Sequence, residues 1–168
     1  MKAQTLAPLE VISVHGATLQ AARNQGAMAA TGKWLCFLDA DDELDPNFLE
    51  AMSKASGQLR APAVQYVRPD GSRTEAMVFS DRDIRVMNPC VIGTLVPAAL
   101  FNRVGGFGNE PIFEDWALWL KCWRLGADIV HVPDAIYIAH DSDGSRNKQG
   151  GNVAKRTYER IRRKWGKR

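Results

Sequence analysis

The residues best suited to chemistry close an apolar run: Trp34-Leu35-Cys36-Phe37-Leu38 leads straight into Asp39-Ala40-Asp41-Asp42. Asp39 and Asp41 alternate, so they repel each other and invite a hard divalent cation, which in turn can hold a substrate's phosphates. A solvated acidic loop would use the same residues, so the weight falls on what surrounds them. Glu114-Asp115 is a second acidic pair, at the head of the segment Trp116 to Leu125. Acids are favourable at any helix N-terminus, so that position alone does not make Asp115 catalytic. His140 stands directly after a strand candidate, where a capped or surface histidine is as natural as a ligand. Asp141-Ser142-Asp143-Gly144 lacks the remaining ligands of a calcium loop.

The elements that must position these groups alternate. Glu10 to Val14 reads as a short β-branched strand, and Ala17 to Ala30 as an alanine-rich helix ended by Gly32. Leu19, Ala22, Gly26 and Ala30 make a narrow small-residue stripe, and Arg23 falls about 40° from Leu19, pointing toward it. A long cation there wants an acidic partner or a ligand. The apolar run itself suits a strand buried on both faces of a parallel sheet, and ligands bind beyond the carboxyl ends of such strands. Downstream, Asp45-Pro46 reads as cap and first residue of a helix carrying Phe48, Leu49, Met52, Ala55 and Leu59. Val64–Val67 and Thr74–Phe79 read as strands around Pro69-Asp70-Gly71-Ser72, and Val91–Val96 as a strand confined by prolines. Gly105 to Gly108 is an open loop whose backbone can approach a ligand. Trp116, Trp119, Leu120 and Trp123 share a helix face that suits core packing. Asp128–Val132 and Ala135–Ala139 are two further strand candidates.

Four segments, in this order, resemble family 2 glycosyltransferases. They are Ala22-Arg23-Asn24-Gln25-Gly26, Leu38-Asp39-Ala40-Asp41-Asp42, Gly105-Gly106-Phe107 with Glu114-Asp115-Trp116, and Val132-Pro133 through His140 to Ser145-Arg146. The resemblance implies an α/β fold: a truncated GT-A, Rossmann-like nucleotide-diphospho-sugar transferase sheet with flanking helices, over residues 1–150. It implies a nucleotide-sugar site of Arg23, Asp39 and Asp41, with Arg23 on the base and Asp39 on the ribose or metal. Mn²⁺ or Mg²⁺ would be held by Asp41, with Asp39 and His140 as further contacts, and Asp115 would be the base on the acceptor hydroxyl. The chemistry suits the residues: a hard cation stabilises a leaving diphosphate, and direct, inverting displacement needs one base beside the incoming hydroxyl. The acceptor could be a glycan, lipid or protein.

The family normally sets a strand, helix, strand and helix before the Arg-Asn motif, and only ten residues precede Val11 here. The expectation is therefore an open edge along Trp34–Leu38, filled by a complementary N-terminal chain or by self-association, unless the remaining strands rearrange or the chain is a truncated gene product. Two other readings compete: a haloacid-dehalogenase-type phosphatase, whose second Asp is followed two places on by Thr or Val where Glu43 stands here, and a non-catalytic remnant that binds sugar or a partner.

With 168 residues and 45% hydrophobic content, the chain suits one globular domain and contains no apolar stretch of transmembrane length. Cys36, Cys90 and Cys122 are odd in number and set in apolar segments, which points to reduced thiols and a cytoplasmic protein. Residues 155–168 hold eight Lys or Arg against one Glu, so the rest of the chain is net acidic although the whole carries +3. This basic tail, 151–168, reads as a solvated helix. Alternatively it is a peripheral contact with the inner membrane face through Tyr158, Ile161 and Trp165. Nucleic acid is disfavoured, because no recognition fold accompanies the patch.

Overall fold

The computed structural model describes residues 3–141 and 151–166. Ser145 and Arg146, the end of the fourth motif, lie outside the described residues. The elements run α1 (Leu19–Ala29), β1 (Trp34–Leu35), β2 (Glu43–Leu44), α2 (Phe48–Lys54), β3 (Leu59–Val67), β4 (Val96–Pro97), α3 (Ala98–Arg103), α4 (Glu114–Arg124), β5 (Ile129–His140) and α5 (Asn152–Trp165). β5 is the central strand of a mixed sheet, parallel to β3 and antiparallel to β2. A second, two-stranded sheet pairs β1 with β4, and the bridge between Arg60 and Leu95 ties it to β3.

Several expected strands differ. Glu10–Val14 forms no strand, and Val11 is exposed, because no strand among the described residues runs beside it. The run 34–38 does lie between two apolar clusters: Leu35 and Phe37 enter one, while Cys36 and Leu38 pack on the other. Its ladder, however, is only Trp34–Leu35, and it is antiparallel to Val96–Pro97 rather than part of a parallel sheet. Trp34 faces outward under the Arg60 guanidinium, 4.0 Å from the ring centre. Leu59 starts β3 instead of extending α2, since Gly57 turns the chain at φ 109°. The two late strand candidates are one strand, β5, irregular where its pairing with β3 shifts between Pro62 and Ala63. Thr74–Phe79 returns along β3 through isolated bridges only, and Val91–Thr94 is a turn closed by Thr94 N–H on the Val91 carbonyl at 3.0 Å.

The larger core gathers Leu35, Phe37, Phe101, Phe107 and the buried side of α4. α4 is covered almost all round: Trp116, Leu118, Trp119, Leu120 and Cys122 are all buried. The tail helix α5 packs on α4, with Ile161 only 1% exposed, Tyr158 stacked on Trp116 at 5.4 Å, and Trp165 against the same core. The helix expected to be solvated thus packs on α4, and the stripe that the membrane alternative would set against lipid is used inside the protein. Among the described residues, no helix is long and apolar enough to cross a membrane.

Candidate active site

Thr18 caps α1 through its hydroxyl, accepting from Ala21 N–H at 3.1 Å, and this register turns Arg23 and Ala27 inward. The small-residue stripe beside them is only half-buried, so the helix packs about one residue round from the expected line. Arg23, 8% exposed, donates from Nη2 to both carboxylate oxygens of Asp39 (2.6 and 2.8 Å) and from Nη1 to Glu114 Oε1 (2.8 Å). Burial works against the guanidinium charge, but the two carboxylates outweigh it and raise the pKa. Its ring neighbour is Phe107, 5.3 Å away, and Asn24 brackets that residue: Phe107 N–H donates to Oδ1 at 2.9 Å and Nδ2 donates to the Phe107 carbonyl at 3.0 Å. The glycine loop therefore meets Asn24 where a ligand was expected. A Cβ on Gly106, whose φ is 63°, would stand 2.5 Å from Asn24 Oδ1.

The acidic turn is closed by Asp42 N–H on the Asp39 carbonyl at 3.1 Å. Asp42 accepts from Tyr137 Oη at 2.7 Å and from His140 N–H at 2.9 Å, which fixes the turn to the end of β5. Burial raises the Asp42 pKa against those hydrogen bonds, with Asp41 and Asp39 pushing the same way. Asp41 is exposed and makes no hydrogen bond or ion pair among the described residues. His140 Nε2 lies 3.2 Å from Glu43 Oε1. The expected ligand trio of Asp39, Asp41 and His140 does not form one cluster: Asp39 is held by Arg23 and His140 by Glu43. No group of three His, Cys, Asp or Glu among the described residues is placed to bind a metal.

Asp115 begins α4 behind Phe113, which occupies the left-handed region at φ 62°. The kink sends Glu114 to Arg23 and leaves Asp115 half-buried on the other side, accepting from Asn88 Nδ2 at 2.9 Å and Trp116 N–H at 2.7 Å. Burial first, then the charge of Glu114, push its pKa up to about 6, against the pull of Trp116 N–H, Arg23 and Asn88. Burial raises the pKa of Tyr66, near the carboxyl end of β3, against the charge of Arg82, and the charges of Asp115, Asp42 and Asp141 add to the rise. Carboxylates of three separate segments thus act on one side chain. Sequence reasoning missed Asn88, Tyr66 and Tyr137. Nothing in their spacing marks them, since each matters only through a partner 27 or more residues away or through shared surroundings.

The chain matches the family "Glycosyl transferase family 2" over residues 3–98, more than half its length. It belongs to that family. It is 27% identical over 149 residues to the succinoglycan biosynthesis protein ExoO of Rhizobium meliloti, covering 74% of this chain and 42% of ExoO. Over 49 residues it is 37% identical to the Escherichia coli UDP-Gal:alpha-D-GlcNAc-diphosphoundecaprenol beta-1,3-galactosyltransferase, covering 29% of this chain and 18% of that protein. The family 2 chain thus spans less than half the length of these relatives. Its fold is similar to S. aureus TarS (TM-score 0.55, 20% identity, 72% of this chain and 24% of TarS). It is also similar to GalNAc-T7, solved with UDP, GalNAc and Mn²⁺ (TM-score 0.56, 17% identity, 85% of this chain and 34% of that one). The architecture is α/β, of the GT-A type, and family membership leaves the phosphatase reading without support.

Proposed function

We propose that this family 2 chain transfers a sugar from a nucleotide-diphosphate donor to an acceptor hydroxyl, with inversion. The observation that carries the reading is Asp115: a half-buried carboxylate held by Asn88, with its pKa raised to about 6, next in the chain to Glu114, which Arg23 ties to Asp39 of the acidic turn. A general base works best with a pKa near operating pH, and Asp115 has been moved in that direction. It takes the proton of the acceptor hydroxyl as that oxygen attacks the anomeric carbon, while the nucleoside diphosphate leaves on the opposite side.

Arg23 acts as the strut between the donor side and the base. Its Nη donors are directed at Asp39 and Glu114, so in this arrangement it positions those acids rather than reading a nucleotide base. A preassembled three-ligand metal site does not fit the residues. A Mg²⁺ or Mn²⁺ ion held by one exposed carboxylate, Asp41, and by substrate phosphates does fit, because such ions are commonly bound that way. The ion would supply charge neutralisation at the diphosphate. His140 and Asp42 shape the turn that presents Asp41.

The partners follow from the same reading. The unpaired stretches Glu10–Val14 and Cys36–Leu38, with Leu9 and Val11 exposed, suit an added strand from a complementary chain or a second copy. Sedimentation of the isolated chain as a strict monomer at high concentration would remove this part. Reduced, buried thiols suit a cytoplasmic setting; burial raises the pKa of Cys36 and Cys122 to about 12.

The decisive experiment is calorimetric titration of a nucleoside diphosphate with and without Mn²⁺. Binding should require the ion, disappear with chelator, and weaken at least about tenfold in Asp41→Ala. Unchanged affinity in Asp41→Ala would overturn the metal assignment. Metal-dependent binding without any transfer would favour the non-catalytic binding protein instead.

A further inference from the structure

A cleft of about 470 Å³ opens between the loop after α3, the middle of α4 and the last turns of α5, and none of the carboxylates described above lines it. Its floor is apolar, made by Ile161 and Trp165. Its rim carries Lys121, Arg160 and Lys164 against a lone acid, Glu110. Lys121 donates to the carbonyls of Val104, at 3.2 Å, and Gly106, so one of its three ammonium protons remains for something else. Lys164 lies over the Trp165 ring at 4.6 Å. Burial lowers the Lys121 pKa and the charge of Lys164 adds to it, opposed by Glu110, so the cations are close enough to repel one another. Arg160 makes no hydrogen bond or ion pair among the described residues, and Glu110 Oε2 is buried with no hydrogen-bond partner.

A bare anion would satisfy the cations but would face the Glu110 carboxylate. A neutral sugar would satisfy Glu110 and leave the cations uncompensated. We propose that the cleft binds an anionic saccharide, one bearing a phosphate or carboxylate. The sugar ring lies along the part of Trp165 that Lys164 leaves uncovered, a hydroxyl donates to Glu110, and the anionic group sits between Arg160 and Lys164. Aromatic floors with a polar acceptor and flexible cations suit this mixed chemistry, because the ring presents C–H groups to the indole while its substituents stay polar. The site is independent of the carboxylate centre and stands whether or not the metal reading holds.

The test is calorimetry on the whole chain at low salt in metal-free buffer, so that the donor site does not contribute. The probes are glucose 1-phosphate, glucuronate, glucose and inorganic phosphate. Both anionic sugars should bind saturably, at least about tenfold more tightly than glucose or inorganic phosphate. Arg160→Ala/Lys164→Ala, two exposed positions whose loss leaves the circular dichroism spectrum unchanged, should weaken them at least about tenfold. Glu110→Gln should narrow the gap between glucose 1-phosphate and inorganic phosphate. Inorganic phosphate binding as tightly as glucose 1-phosphate, affinity retained in the double variant, or no binding by either anionic sugar would each overturn the proposal.

Discussion

Asp39 and Asp115 are the same residue type, brought to one region of the molecule, yet they sit in opposite environments. The Asp39 carboxylate accepts both of its hydrogen bonds from a buried guanidinium, which holds it in place. Asp115 receives one neutral side-chain donor and one backbone N–H, and its surroundings penalise its charge. The first environment makes a fixed structural partner. The second makes a proton acceptor. Division of labour between carboxylates is thus set by what each one is placed against, and Arg23 takes part in both placements.

The sharpest way to break the comparison is to remove the shared cation. Arg23→Met takes the buried guanidinium away from both Asp39 and Glu114, which should destabilise the fold by about 3–5 kcal/mol in urea unfolding. Adding Glu114→Gln should recover part of that loss. A cost below about 1 kcal/mol would show that the bridge does not organise the site. Next in size is the base. Asp115→Asn should reduce transfer at least about a hundredfold while donor affinity stays within about twofold. Its stability should move the other way. Because the folded pKa, about 6, lies above the ordinary carboxylate value of 3.8, the folded state binds more protons between those values. Stability therefore falls as pH rises through that window, and Asn should stabilise at neutral pH by about 1–2 kcal/mol, with the gain vanishing below about pH 4. Transfer by the parental chain should fall as pH drops through about 6, as the base is protonated. The smallest effect belongs to Asn88→Ala. Loss of its donor to Asp115 should shift that acidic limb upward by about half a pH unit, whereas loss of an Asp39 contact should leave the limb in place.

Parts of this arrangement were legible without coordinates. Helical position and length leave Arg23 an acidic partner or a ligand to meet, with the resemblance pointing to a nucleotide base, and in the fold it meets two acids. α4 and its tryptophan face were read correctly from helical spacing, as buried packing rather than a binding stripe. The acidic turn lies at the end of the apolar run, as buried-strand reasoning requires. The neighbours were misread. Trp34–Leu38 looked like a parallel strand, but a run of apolar residues states only that both sides are covered. It does not say whether a ladder or a pair of side-chain clusters does the covering. The late strands were separated at Pro133, although β5 continues through it with a shift in pairing.

Residue types, their order and the local periodicities are properties of the chain before it folds. From these came the α/β class, the acidic turn, the helix headed by Glu114-Asp115 and the family, because each is a property of short stretches of chain. Only the tertiary structure decided how the acids differ: Asp39 neutralised by Arg23, Asp42 clasped by Tyr137 and His140, Asp41 left in solvent, and Asp115 lifted toward neutral pKa beside Asn88. It also turned the basic tail into a packed helix with a cleft beneath it. The reason is physical: a carboxylate's charge state depends on solvent and on partners brought close through space, and local sequence specifies neither.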